Sequence, residues 1–242
     1  MIDVPPVGER VAELRATYEQ ELETIRREGD EYVLVLDNGD EVRGDKVLAA
    51  TGRRPRVQDV GLETVGITPD PHGVPVDSHL RVAERLWAVG DITGIFPLTH
   101  VGKYQGRVVA SNLLGESREA NYDAVPRVTY TDPQAAAVGA TEARFSATAR
   151  VAEVAKTATY THKYAESNGY MTLLSDGERL TGAHALGPEA GEWLQQATLA
   201  IRARVGLDIL LDTIQPFPTF SEIYLNAMKA LAREVEAARV TS

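Results

Sequence analysis

Two apolar runs, each ending at a glycine next to polar residues, constrain the fold of this chain most strongly. Residues 86–91 read Leu-Trp-Ala-Val-Gly-Asp, and residues 47–53 read Val-Leu-Ala-Ala-Thr-Gly-Arg. Such runs are typical of buried strands in an α/β sheet, which need apolar partners on both faces. Ligands of these sheets bind at the carboxyl ends of the strands, where a glycine lets a ligand approach the backbone closely. The two runs therefore predict a ligand-binding α/β region.

Composition excludes several classes of function. The 242 residues carry a formal net charge of −10, which is unfavourable for binding nucleic acid or an anionic membrane. The sequence has no cysteine, and its five histidines show no metal-binding spacing. No apolar run approaches the ~18 residues of a membrane span. We therefore expect a cytoplasmic protein without metal, nucleic-acid or membrane partners.

The periodicity of apolar residues divides the chain near residue 120. Apolar side chains recur every three to four positions over residues 8–28, which predicts an amphipathic helix. A hairpin around Asp37-Asn38-Gly39-Asp40 and a helix over 101–114 follow. Beyond residue 120 the order is strands and then helices, which indicates an α+β unit. Its strand-like runs lie at 157–163, 169–174 and 180–186, and its helices at about 189–204 and 219–237. We expect two domains, 1–120 and 121–242, of α/β and α+β class.

The two glycine turns carry the candidate ligand contacts. Gly90 leaves room for a ligand, and the Asp91 carboxylate can accept hydrogen bonds from sugar hydroxyls. The alternative for Asp91 is a turn cap. Thr51 and Gly52 can face a nucleotide, with Arg53 or Arg54 near a phosphate. The alternative there is a plain turn with a solvated arginine.

Other polar positions have structural explanations beside the chemical ones. His100 precedes the second predicted helix, whose first N–H groups can face a ligand, but a single histidine there more often makes a structural hydrogen bond. Near the end of the chain, Thr219 is a candidate N-cap and Glu222 is an acid favoured in the first helical turn. We assign His184 and Glu189 to packing and capping.

In their order along the chain, these segments resemble the pyridine nucleotide-disulfide oxidoreductases, the group of dihydrolipoamide dehydrogenase and mercuric reductase. The resemblance covers the C-terminal half of such enzymes. It implies FAD and NAD(P)H as cofactors, with Asp91 on the ribityl chain of FAD, and a homodimer formed through residues 121–242. The implied cofactor contacts are Gly90, Asp91, Leu98, Thr99 and His100 for the flavin, and Thr51, Gly52 and Arg53 for the nicotinamide nucleotide.

The sequence departs from the family pattern at its redox groups. It contains neither a GxGxxG loop for a dinucleotide pyrophosphate nor the cysteines of a redox dithiol. The family's acid/base histidine before Pro-Thr is Phe217 here, while its carboxylate partner is retained as Glu222, the candidate catalytic residue. An aromatic ring cannot transfer protons, so we expect hydride transfer through FAD to a non-thiol acceptor of unknown identity.

A second interpretation belongs to a different class of protein. The chain would be a stand-alone dimer that has lost redox function and serves as a binding protein or a cofactor-free enzyme reusing the old cleft. The predicted 8–28 helix would then cover apolar surface that other domains bury in the family. A flavin-loaded protein favours the first interpretation, and a colourless folded dimer favours the second.

Overall fold

The structure is a computed structural model and describes residues 22–68, 70–154 and 169–240. Contacts divide the chain into two units, and the boundary along the sequence lies between Arg53 and Arg54. The predicted domain boundary near residue 120 stays a prediction. The strands are β1 (Leu22–Glu28), β2 (Glu31–Leu36), β3 (Glu41–Gly44), β4 (Arg81–Ala83), β5 (Leu86–Trp87), β6 (Arg127–Thr129), β7 (Gln134–Gly139), β8 (Phe145–Arg150), β9 (Tyr170–Ser175) and β10 (Leu180–Gly187), and the helices are α1 (Thr99–Leu113), α2 (Ala190–Trp193), α3 (Gln195–Arg202), α4 (Leu207–Asp212) and α5 (Glu222–Val240).

The first unit contains an antiparallel three-stranded sheet in the order β1-β2-β3. Residues 22–28, predicted as the end of a helix, form β1 instead, and residues 8–21 of that prediction lie outside the described residues. The turn at Gly29 (φ 62°) reverses the chain and pairs Ile25 with Leu34 across the two strands. Apolar spacing alone could not separate these two outcomes, because the tight turn that creates the strand pairing decides between them.

The strand expected at 47–50 is not formed, and the prediction of a buried strand over 86–89 is only partly correct. Residues 46–57 have no regular secondary structure, and Leu48 is 91% exposed. Strand β5 has only two residues, paired with β4, and Val89 after it is 40% exposed. A strand forms only where neighbouring strands take up its N–H and C=O groups. Among the described residues, 47–50 has no such neighbour.

The second unit is built on a five-stranded antiparallel sheet in the order β6-β7-β10-β9-β8. Side chains alternate between its faces, so one face joins the core with helices α3 and α5. The predicted runs 169–174 and 180–186 are confirmed as β9 and β10, and the predicted helix 101–114 as α1. The run 157–163 lies outside the described residues. The core residues of the sheet include Ala136, Val138, Met171, Leu173, Ala183 and Ala185.

Helix boundaries near the end of the chain differ from those predicted. The helix expected over 189–204 is divided into α2 and α3, and α5 begins at Glu222 rather than at 219. Glu189 precedes α2 in a left-handed conformation and makes no side-chain capping bond. The Thr219 hydroxyl donates to the Pro216 carbonyl at 2.7 Å instead of capping a helical amide. Both capping predictions were therefore wrong, because neither the Glu189 carboxylate nor the Thr219 hydroxyl accepts a hydrogen bond from a helical amide.

Candidate functional site

The Gly90–Asp91 pair lies in a rigid turn rather than at the end of a long strand. Residues 90–93 form a single 3-10 turn that follows the extended Val89. The amide of Val74 donates to the Ile92 carbonyl at 2.8 Å. A Cβ on Gly73 would lie 2.6 Å from the carbonyl carbon of Thr93, so the 70–74 loop is pressed against this turn. The turn therefore has little freedom to move.

Helix α1 holds the turn from its other side through a buried glutamine. Gln105 is completely buried, and its Oε1 accepts from the Gly90 amide at 2.6 Å. Its Nε2 donates to the Tyr122 hydroxyl at 2.9 Å. A Cβ on Gly102 would lie 3.2 Å from the Gly90 Cα, so the turn packs against the first turns of the helix. The Gly90–Asp91 turn is therefore held against the first two turns of α1.

The N-terminal end of α1 presents free backbone donors. The Leu98 carbonyl accepts from the amides of Val101 and Gly102, and no side chain caps the helix. Within the described part of the chain, the amides of Thr99 and His100 have no hydrogen-bond acceptor. Such amides and the helix dipole together favour an electron-rich ligand group. The structure thus places five of the predicted residues at one site: Gly90, Asp91, Leu98, Thr99 and His100.

The His100 side chain has a structural role. Its Nε2 donates to the Pro126 carbonyl at 2.9 Å, which ties α1 to the segment that enters β6. The ring is exposed, and only the backbone amide of His100 belongs to the free donors of the helix. This arrangement agrees with the structural alternative for a single histidine before a helix.

The residues predicted for nicotinamide-nucleotide binding lie in the first unit, at its C-terminal end. Thr51, Gly52 and Arg53 are all exposed. Gly52 has φ 84°, and a Cβ built on it would meet no atom within 4 Å. This conformation leaves an open backbone position, but it does not by itself make a cradle for a ligand.

Phe217 and Glu222, at the positions that the resemblance assigns to the family's acid/base pair, lie just before and at the start of α5. The Phe217 side chain is 74% exposed. The Glu222 Oε2 atom is buried and has no hydrogen-bond partner among the described residues. A buried carboxylate oxygen without a donor is unfavourable, so this position retains the carboxylate but not a group that can exchange protons with it.

Sequence reasoning missed Gln105, the residue that fixes the turn. It shares the buried side of α1 with Val101 and Val108, at spacings of four and three residues. A single polar residue in an otherwise apolar helical stripe is the signal that could have identified it, because a buried amide needs hydrogen-bond partners.

Comparisons with known proteins identify sequences and structures that are similar to this chain. The family model described as "Pyridine nucleotide-disulphide oxidoreductase" matches residues 12–106, and the model of the dimerisation domain of the same enzymes matches residues 125–228. Dihydrolipoyl dehydrogenase of Chlamydia muridarum is 34% identical over 83% of this chain and 45% of its own length. Mercuric reductase of Streptomyces lividans is 33% identical over 89% of this chain and 48% of its own length. The chain spans about half the length of these relatives.

Solved structures share the fold. LpdA of Mycobacterium tuberculosis superimposes with a TM-score of 0.74 at 24% identity, covering 87% of this chain and 48% of the other. The HOCl-induced flavoprotein disulfide reductase RclA of Escherichia coli, in its Cu(II) complex, gives a TM-score of 0.74 at 25% identity over 86% of this chain and 49% of the other. Within the described ranges, this chain has no helix long and apolar enough to cross a membrane.

Proposed function

Because the chain belongs to the pyridine nucleotide-disulphide oxidoreductase family, we propose that it forms the flavin-ring side of a FAD-dependent NAD(P)H oxidoreductase with a non-thiol acceptor. The observation that carries this proposal is the packing of the Gly90–Asp91 turn against the first turns of α1, where the amides of Thr99 and His100 have no acceptor among the described residues. An acceptor for hydroxyl groups and a pair of donors for an electron-rich ring edge therefore lie at one end of one helix.

These residues fit the ribityl and ring part of FAD. Asp91 would accept hydrogen bonds from the ribityl hydroxyls, and the amides of Thr99 and His100 would stabilise negative charge at the ring edge. When bound, FAD supplies the group that receives and returns hydride. Arg53 would pair with a phosphate of the nicotinamide nucleotide. The sequence contains no glycine-rich pyrophosphate loop, so these 242 residues supply only part of a dinucleotide site.

Three observations support an acceptor that is not a disulfide. The 242 residues contain no cysteine, so they cannot carry a redox dithiol. Phe217 is exposed and cannot transfer protons, and the buried oxygen of Glu222 lacks a donor among the described residues. A quinone, a dye or a second nucleotide can be reduced by hydride without a thiol acid/base pair, and such acceptors are compatible with this chain.

Residues 121–242 would form a homodimer. The match to a dimerisation-domain model supports this part of the proposal. Large apolar side chains are exposed on the same unit and would gain burial in a dimer. They include Leu199 at 68%, Ile209 at 59%, Ile214 at 93% and Phe217 at 74% exposure.

The proposal is tested by titrating the purified chain with FAD and following flavin fluorescence. Asp91→Ala should weaken FAD binding about tenfold or more, because it removes a charged hydrogen-bond acceptor. Asp212→Ala, an exposed carboxylate at the end of α4, is the matched control and should bind FAD as the unsubstituted chain does. Equal affinity of all three proteins for FAD, or no binding by any, would contradict the proposal.

The acceptor is tested on the FAD-loaded protein. NAD(P)H oxidation should be faster with a quinone or a dye than with lipoamide or oxidised glutathione as the acceptor. A disulfide reduced as fast as the quinone would contradict the non-thiol part. A folded, colourless dimer that does not bind FAD would favour the stand-alone protein instead. That interpretation uses a helix over residues 8–28 to cover apolar surface, but residues 22–28 form β1.

A further inference from the structure

A cleft of ≈ 570 Å³ lies on the face of the five-stranded sheet that is turned away from α3 and α5. Ala135 and Ala137 of β7 form its floor, with Arg127 on one side and His184 on the other. The segment 96–98, directly before α1, also lines it. Its volume is within the roughly 300–1,000 Å³ of small-molecule sites.

The strand register explains why a depression forms there. Ala137 pairs directly with Arg127 of β6 on one side and with His184 of β10 on the other. Directly paired residues point to the same face of a sheet, and neighbouring strands are about 4.8 Å apart. The small alanine side chains therefore leave a trough roughly 10 Å wide between two long polar side chains.

The two polar side chains of this trough have no protein partner. In the part of the chain that the structure describes, neither Arg127 nor His184 makes a side-chain hydrogen bond or an ion pair. Both are partly buried, and no aspartate or glutamate lines the cleft. The cleft therefore carries a local positive charge, whereas the whole chain has a net charge of −10. A guanidinium in this setting is complementary to a carboxylate.

We propose that this cleft binds an apolar carboxylate, a small molecule with a hydrocarbon or aromatic body and one carboxylate group. The carboxylate pairs with the Arg127 guanidinium, the His184 ring donates to a second oxygen, and the body rests on Ala135, Ala137 and Leu186. This site shares only Leu98 with the predicted flavin contacts, and Arg127 and His184, which bind the carboxylate, are not among those contacts.

Isothermal titration of the purified chain with naphthoate tests the site. We expect saturable binding by one molecule per chain, and binding of the neutral amide of the same ring system at least tenfold weaker. Arg127→Gln should weaken naphthoate binding about tenfold or more. The matched control is Arg150→Gln, because Arg150 lies on the same face of the sheet at the far strand β8 and does not line the cleft. This control should bind naphthoate unchanged.

A second variant guards against a folding artefact. Ala137→Leu fills the floor while keeping Arg127, and it should abolish binding with an unchanged far-UV circular dichroism spectrum. Equal affinity for naphthoate and its amide, or an Arg127→Gln chain that binds as well as the original, would overturn the proposal. So would a dimer that binds no naphthoate, because a second copy would then cover the cleft. A parallel FAD titration separates this result from a failure of the flavin site.

Discussion

Replacing Gln105 by leucine should loosen the turn that carries Asp91. Leucine has a similar volume, so it keeps the packing of α1 while removing the amide. The Gly90 amide then loses its acceptor at 2.6 Å, and the Tyr122 hydroxyl loses its donor at 2.9 Å. A partly buried amide left unsatisfied costs about 1–3 kcal/mol, and a lost neutral hydrogen bond costs about 0.5–1.5 kcal/mol.

Together these losses should lower the free energy of unfolding by about 2–4 kcal/mol. For a unit of this size, the midpoint of thermal unfolding should fall on the order of 10 °C. Urea unfolding followed by circular dichroism measures the first quantity, and FAD titration of the same variant should show weaker binding. Tyr122→Phe removes only one of the hydrogen bonds and should cost about 1 kcal/mol. A Gln105→Leu chain within about 0.5 kcal/mol of the original would refute the argument.

Three further changes probe other parts of the fold. Gly73→Ala should lower the free energy of unfolding in urea by more than about 2 kcal/mol, because the new Cβ would lie 2.6 Å from the Thr93 carbonyl carbon and position 73 has a φ of 142°. An unchanged urea midpoint would contradict the close packing of Gly73 against Thr93. Glu222→Gln should raise the free energy of unfolding by about 1 kcal/mol, because removing the charge from a buried oxygen without a partner gains more free energy than the lost interaction with the helix dipole costs. A destabilised variant would show that the carboxylate has a donor. The hydrogen bond from Arg26 lowers the pKa of Glu28 below its ordinary 4.5, so the ionised carboxylate stabilises the β1-β2-β3 sheet above that pH. The sheet should therefore lose amide-exchange protection as the pH falls below 4.5. Constant protection down to about pH 3 would contradict the ion pair.

The sequence predicted best the elements whose partners are close in the chain. Helix α1 and the hairpin of β9 and β10 follow from local apolar spacing and from the turn at 175–177. Strand β1 was predicted as a helix because Leu22 and Ile25 suit either period, and only pairing with β2 decides between them.

The apolar runs at 47–50 and 86–89 show the opposite limit. Together with the other motifs they carry the resemblance to the family, but a local sequence cannot provide the neighbouring strands that would complete a parallel sheet. Among the described residues, the first run is exposed and has no regular secondary structure, and the second pairs over only two residues.

The candidate site divides in the same way. Asp91 and the segment 98–100 were predicted from motifs, because a glycine turn and a helix start are local features. The link between them depends on Gln105, Tyr122 and the close approach of Gly102 to Gly90, which are contacts between elements that no single motif encodes. The Glu222 oxygen that has no hydrogen-bond partner among the described residues likewise becomes visible only in the packed structure.

The most direct test of the account is the visible absorbance of the purified chain after mixing with FAD and removal of free cofactor by gel filtration. If Asp91 and the start of α1 hold the flavin, the flavin band should elute with the protein and should be lost in Asp91→Ala but not in Asp212→Ala. A folded protein that elutes colourless in all three forms would contradict the central claim.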